Sequence, residues 1–446
     1  MALDMKRQGL KKAAALAFAL VVLSPHRASA LQPLETFIAG GRAMNPDSRV
    51  ADANVRQREA EANQQLSKLL PAFTARGTYT RNEYETSATL PGLGTLVIAP
   101  QNQVDGFLIL DVPIADLSQF ARYDSQKLQR DLAEASRTLT HRQLDEKIIR
   151  AYYTLTATAA LTRSAANSLD ASQKNLDFVK ERVLAGVAPD LDLQRAIANV
   201  EQAKGSVADA ELSRVLALRS LETLSRVTPE AAISFPEDDL HEETALPNWL
   251  QRGKKNLPEL RVAETQSMIA EENVKVARYG YLPTLAAQAQ EHFTNATSFT
   301  GKPAFYTLTA TLSYRFDLNT VATNDVNAAA RDATLAQAEG TRRNTEDAIV
   351  EAWQRVAANI AKARAARAEL KATDSAFRIT EDRYSIGAST QLDVTQAQRD
   401  AFSADVAHIQ ADLDLVQARA ILRLASGEAP AAPSTTSSTL PARANP

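Results

Sequence analysis

The sequence predicts a mixed α and β fold built from two copies of one unit: helix, β-hairpin, very long helix, helix. Three observations carry that expectation. Segments match at fixed offsets, residues 117–184 hold neither Gly nor Pro, and several short runs alternate between apolar and polar side chains.

Composition narrows the field first. The 446 residues contain no Cys, which excludes disulfides, thiolate metal sites, a cysteine nucleophile and a lipidated N-terminal Cys. With 15 Gly and 6% aromatics the chain lacks the make-up of an all-β porin, and no GxxxxGK[ST] loop is present. A net charge of −3 gives no electrostatic case for nucleic acid.

Residues 1–30 read as a signal peptide. Lys6, Arg7, Lys11 and Lys12 precede an apolar run from Ala13 to Leu23, and Ala28-Ser29-Ala30 supplies the cleavage site. Loss of five bases and one acid takes the formal charge from −3 to −7. No later stretch reaches the ~18 apolar residues of a membrane-spanning helix.

The internal repeat comes next. Arg49-Val50-Ala51 matches Arg261-Val262-Ala263, and Leu70-Pro71 matches Leu282-Pro283, at an offset of 212. From Asp116-Leu117 and Asp317-Leu318 onward the offset is 201: Ile148, Arg182, Gly186, Leu191 and Asp192 face Ile349, Arg383, Gly387, Leu392 and Asp393. The difference of 11 places an insertion between Pro71 and Asp116 of copy one, where a loop tolerates it. The copies span 31–227, with a hairpin at about 72–115, and 259–428, with a hairpin at about 284–316. Between them, 228–258 reads as a Pro-rich linker, and 429–446 as a Pro/Ser/Thr/Ala tail without a packed core.

Within 117–184 the apolar positions Leu128, Leu132, Ala135, Leu139, then Ile148, Tyr152, Leu155, Ala159, follow coiled-coil steps. At ~1.5 Å per residue the rod is roughly 100 Å long. Shorter helices at about 45–70 and 191–227 suit stacking end to end along it.

The strands carry the sharpest local signal. Tyr306, Leu308, Ala310, Leu312, Tyr314 and Phe316 alternate with Thr307, Thr309, Thr311, Ser313 and Arg315. Phe73, Ala75, Gly77 and Tyr79 alternate with Thr74, Arg76, Thr78 and Thr80; Val104–Val112 and Leu285–Gln290 supply two more strands. About ten alternating residues with aromatics near the ends fit a tilted membrane-spanning strand. Open strand edges are not tolerated in lipid, and barrels start at about eight strands, so several chains must share one barrel. Eight strands enclose only packed side chains, so a conducting barrel takes three chains or more.

These features resemble the TolC family of outer-membrane efflux and secretion channels over roughly Pro33 to Glu428. The motifs that carry the resemblance are the two helix-hairpin tips, Glu181–Gly186 through Leu191-Asp192-Leu193 and Asp382–Gly387 through Leu392-Asp393-Val394. The resemblance implies long antiparallel coiled-coil helices forming a trimeric α-barrel and a shared twelve-stranded transmembrane β-barrel. It implies a passive exit duct of a tripartite efflux pump or type I secretion system, in the outer membrane of a Gram-negative bacterium with the helices in the periplasm. Its partners would be two further copies, a periplasmic adaptor, through it an inner-membrane pump, and outer-membrane lipid.

The resemblance also assigns roles. Asp393, Asp192 and Tyr384 would form the periplasmic entrance, with Tyr384 and Asp192 linking neighbouring coils. Gly186, Gly387, Arg182 and Arg383 would meet the adaptor. Two positions depart from the family's best-known member: Gln396 stands where it has a second pore acid, and Ser389 where it has an arginine. A less acidic ring and a weaker lock follow. Tyr79, Tyr306, Tyr314 and Phe316 read as membrane-interface aromatics. Independently of any family, Gly186 and Gly387 suit helix ends, and Thr390 with Asp393 forms an approximate capping box.

The alternative reading is a periplasmic coiled-coil adaptor or scaffold without a pore, which leaves the strand alternation unexplained. Catalysis has no support: His141, His241, His292 and His408 are scattered, with no HExxH, no GxSxG and no site for a metal or cofactor.

Overall fold

A computed structural model describes residues 31–91, 94–230, 235, 238–297 and 301–428. The expected signal peptide at 1–30 and the expected tail at 429–446 lie outside them. Eight helices and six strands occur among the described residues.

Helix α1 spans Leu34–Met44 and α2 spans Pro46–Ser67. The sequence placed a helix start at about Asn45, and α2 begins there: Asn45 is extended, its side chain accepts the Asp47 N–H, and Pro46 takes the first helical position. Helix α1 ahead of it was not expected. Strand β1 (Ala72–Arg81) follows, then the small hairpin β2 (Thr86–Leu90) and β3 (Gly94–Ala99), then β4 (Asn102–Ala115). The extra residues of the first copy are thus a hairpin of their own.

Helix α3 runs Leu117–Leu184 without a break, 68 residues, its start capped by Asp116 accepting the Gln119 N–H at 3.1 Å. Helix α4 covers Asp190–Ser225. The linker is more ordered than expected, because it contains helix α5 (Leu246–Asn256), whose Trp249 is buried. Then come α6 (Pro258–Tyr279), β5 (Thr284–Thr294), β6 (Ala304–Ser313), α7 (Leu318–Ser385) and α8 (Gln391–Ala425). Strand β6 stops short of the predicted Phe316, since its partner β5 begins at Thr284, opposite Ser313.

The main sheet is antiparallel with order β1-β4-β5-β6, leaving β1 and β6 as free edges. Beside it, α2, α3, α6 and α7 lie side by side; farther away, α4, α3, α8 and α7 do so. The two long helices therefore carry the sheet at one end and the coil tips at the other, about 100 Å apart.

Three cores hold this strip together. Phe37, Ile148, Leu155 and Leu221 centre one at mid-length, where α1 crosses α3 and α4. Trp249, Ile349, Val356 and Leu422 centre the second, under α5. Leu176, Val179, Val200, Tyr384 and Val394 form the third, near the tips. Arg419, only 5% exposed, pins the linker by contacts to Asp238 at 3.0 Å and Glu243 at 2.9 Å.

Candidate functional site: the coil tips and the four-stranded sheet

At the tips, both long helices end in the same way. Gly186 has φ 72° and Gly387 φ 77°, the left-handed conformation that favours glycine. Gly186 N–H donates to Val183 O at 3.0 Å and Val187 N–H to Arg182 O at 3.0 Å. Gly387 N–H donates to Tyr384 O at 3.1 Å and Ala388 N–H to Arg383 O at 2.7 Å. Both are Schellman ends, which bring the chain back at a steep angle. Arg182 and Arg383 sit in the last turns, where a cation meets the negative helix end.

The two returning helices start differently. Thr390 and Asp393 form a reciprocal capping box, with Asp393 Oδ2 accepting the Thr390 N–H at 2.8 Å. These bonds from the Thr390 backbone and hydroxyl hold the exposed Asp393 carboxyl below its usual range. Helix α4 has Pro189 at its N-cap and no side-chain cap; Asp190 and Asp192 lie in its first turn, and Asp192 faces Arg195 at 3.6 Å.

Tyr384 is buried among Leu176, Val179 and Val200, with Phe178 edge-on at 5.7 Å. Burial pushes its hydroxyl pKa up; Arg182 nearby pulls it down and Asp192 adds to the rise. Among the described residues that hydroxyl has no hydrogen-bond partner, and neither do the Gln391 side-chain amide or Arg182 Nε. Arg182 instead spans from the first coil to the second, donating to the Tyr384 carbonyl at 2.9 Å. Sequence reasoning missed that bond, because 202 residues separate the partners. Gln396, in the place of a second acid, binds Asp400 at 2.8 Å.

At the other end, the register settles the faces of the sheet. Leu308 is opposite Ala289, and Ala289 shares a face with Leu110 and Phe73. This face carries Phe73, Tyr79, Leu108, Leu110, Phe293, Tyr306 and Leu312, all exposed. Thr307, Thr309, Gln288, Gln290, Asp111, Thr74 and Thr78 lie on the opposite face. A sheet with one wet face would bury its apolar side against a core. Here nothing among the described residues covers it: Tyr306 is 74% and Leu308 72% exposed.

Of the expected interface aromatics, Tyr79 and Tyr306 lie on the apolar face toward the end remote from the helices, and Tyr79 donates to Asn102 at 2.9 Å. Tyr314 and Phe316 follow β6 at the helix side, both exposed. Among the described residues one trio, Asp238, Asp239 and His241, brings potential metal ligands within 4.8 Å, but Asp238 and His241 are already engaged by Arg419. No described helix is long and apolar enough to cross a membrane.

Comparison with known proteins agrees with this geometry. The chain is 26% identical over 399 residues to a protein named probable efflux pump outer membrane protein TtgC, from Pseudomonas putida KT2440, covering 84% of this chain and 79% of TtgC. It is 26% identical over 412 residues to the pyoverdine export outer membrane protein OpmQ of Pseudomonas aeruginosa PAO1, covering 88% and 85%. The crystal structure of CusC, described with transmembrane channel formation, superposes with a TM-score of 0.77 at 16% identity over 89% of this chain and 92% of that one. The matching family and the curated relatives are outer membrane efflux proteins, and this chain is not an enzyme. The model of the outer membrane efflux protein family matches residues 41–225 and 249–428, and the chain belongs to that family.

Proposed function

We propose that three copies of this chain form the passive exit duct of a tripartite efflux pump or type I secretion system. The observation that carries the reading is the four-stranded sheet with an uncovered apolar face and two unpaired edges, β1 and β6. In lipid each unpaired backbone group costs several kcal/mol, so β6 of one copy pairs with β1 of the next. Three copies supply twelve strands and enclose a bore lined by Thr and Gln. The barrel lies in the outer membrane of a Gram-negative bacterium, and the helices extend it through the periplasm. The two-unit organisation, 31–227 and 259–428, lets each chain contribute two hairpins and two coil tips.

The tips are the gate. Several polar groups are buried there without partners, and each costs about 1–3 kcal/mol while the tip stays packed. A closed state held that loosely is open to bias by a few kcal/mol. An adaptor meeting Gly186, Arg182, Gly387 and Arg383 would supply it, while an inner-membrane pump supplies the energy. Asp393 and Asp192 face the entering cargo.

Protein extracted with outer membranes is expected to run as a heat-resistant trimer and to conduct in planar bilayers. A detergent-free soluble monomer without conductance would favour the adaptor reading instead.

A further inference from the structure

One feature of the sheet exceeds what a membrane wall requires. The register sets Arg76 opposite Phe107, Phe107 opposite His292, and His292 opposite Phe305, a row that crosses all four strands on the polar face. The side chains touch in sequence. The Arg76 guanidinium lies 4.7 Å from the centre of the Phe107 ring, Phe107 stacks on His292 at 4.3 Å, and Phe305 meets His292 edge-on at 5.0 Å.

Elsewhere the polar face of the sheet carries Thr, Ser, Gln, Ala, Ile109, Asp105 and Asp111, so its aromatic rings are confined to this row. The apolar face sets its own register with Leu, Ala and Val. Stacking rings on the water side is therefore not needed to align the strands, and Phe305 remains 41% exposed there.

Charge decides what the row would hold. Asp105, on the same face, is 7% exposed and already accepts from His292 at 2.9 Å and Gln103 at 2.8 Å. Arg76 has no carboxylate partner among the described residues and is exposed. The accessible charge of the row is a planar cation already stacked on a ring. Such a fork pairs with a carboxylate through two parallel hydrogen bonds, and flat rings favour stacked or edge contacts with a second flat ring.

We propose that this row is a ligand-contact belt inside the bore, selective for planar aromatic carboxylates over aliphatic ones. The proposal rests on the duct reading above, since only a closed barrel turns the polar face into a lumen. Three copies then contribute three inclined segments, each with one guanidinium and three rings.

The test uses the assembled protein with 2-naphthoate as probe and octanoate as the non-aromatic control. Binding is measured by calorimetry in detergent and block by bilayer current, each variant normalised to its own open current. Wild type is expected to bind 2-naphthoate at least tenfold more tightly than octanoate. Arg76→Gln and Phe305→Leu should each weaken the aromatic ligand fivefold or more and close the gap between the two anions. Arg76→Lys, which keeps the charge but not the plane, should fall between. Equal affinities, or block unchanged in both variants of a conducting protein, would overturn the belt and leave the duct standing. A wild-type protein that assembles but never conducts would overturn the duct and the belt with it.

Discussion

Arg182, in the last turn of α3, donates a hydrogen bond to the backbone carbonyl of Tyr384 in α7 at 2.9 Å and lies 4.9 Å from the centre of its ring. One side chain thus ties the end of the first long helix to the end of the second. Phe178 receives the same guanidinium at 5.7 Å, so the cation contacts both rings of an edge-to-face pair. A charged hydrogen bond with cation–π contact at a half-buried site stabilises by about 1–2 kcal/mol. Arg182→Ala is expected to raise the open fraction of the channel roughly tenfold, read as open probability in planar bilayers. Arg182→Lys should restore little, lacking the planar fork. An unchanged open probability in both would make the tie a packing contact without a part in gating.

Asp393 serves its own helix and, in the duct reading, also the entrance. Its carboxyl is held low by Thr390, so it keeps its charge below the ordinary 3.8. A lowered pKa contributes stability that is present above the unfolded value and lost as pH falls through the folded one. Cation preference in bilayers is therefore expected to stay flat from about pH 8 to 5 and to decline only below about pH 4. At physiological salt a ring of three such acids acts over about 8 Å, so it matters only at a narrow entrance. Asp393→Asn should reduce the preference; selectivity identical to wild type would leave Asp393 as a helix cap alone.

The mid-length cores depend on two glycines. A Cβ on Gly41 would run into Ile148, and one on Gly253 would run into Ile349. Either Ala substitution is expected to destabilise by about 1–3 kcal/mol, because a close-packed crossing cannot absorb a methyl group. Gly205, inside α4, has open space around its Cα, so Gly205→Ala should stabilise by about 0.5–1 kcal/mol. Thermal denaturation of the detergent-solubilised protein distinguishes them: Tm falls for Gly41→Ala and Gly253→Ala and rises for Gly205→Ala. A fall for all three would point to helix-wide sensitivity rather than local crowding.

Those glycines mark where the sequence was legible and where it was not. The long helix 117–184 could be read to both ends, since no residue in it disfavours a helix and Gly186 supplies its stop. Thr390 and Asp393 were readable as a cap because capping is local. The helix start at Asn45-Pro46 was readable for the same reason, whereas helix α1 ahead of it was not read. The end of β6 was not readable, because alternation continues through Tyr314 and Phe316 while the partner strand runs out at Thr284. Nor could pattern reveal the Arg182–Tyr384 tie or the clamp of Arg419 on the linker, which depend on how distant helices cross.

His408, on α8 halfway along the lower coil, gives the coil a pH dependence of definite sign. Asp405, 3.9 Å from Nδ1, and Asp412, 3.3 Å from Nε2, raise its pKa to about 9 against partial burial and the opposing charge of Arg367. Asp412 is fully buried and also binds Arg367 at 2.9 Å, so the imidazolium joins a knot linking α7 to α8. Ser164 of α3 reaches the same knot through Asp405. A folded pKa raised above the ordinary 6.5 contributes stability that is complete below that value and is lost as pH rises toward 9. The coil is therefore expected to lose stability steadily between about pH 6.5 and 9. Hydrogen exchange of α8 amides near Ala404 against pH tests this directly. In His408→Gln the pH slope should vanish and stability at pH 6 should drop to the alkaline level of wild type; a slope that survives the substitution would place its origin elsewhere.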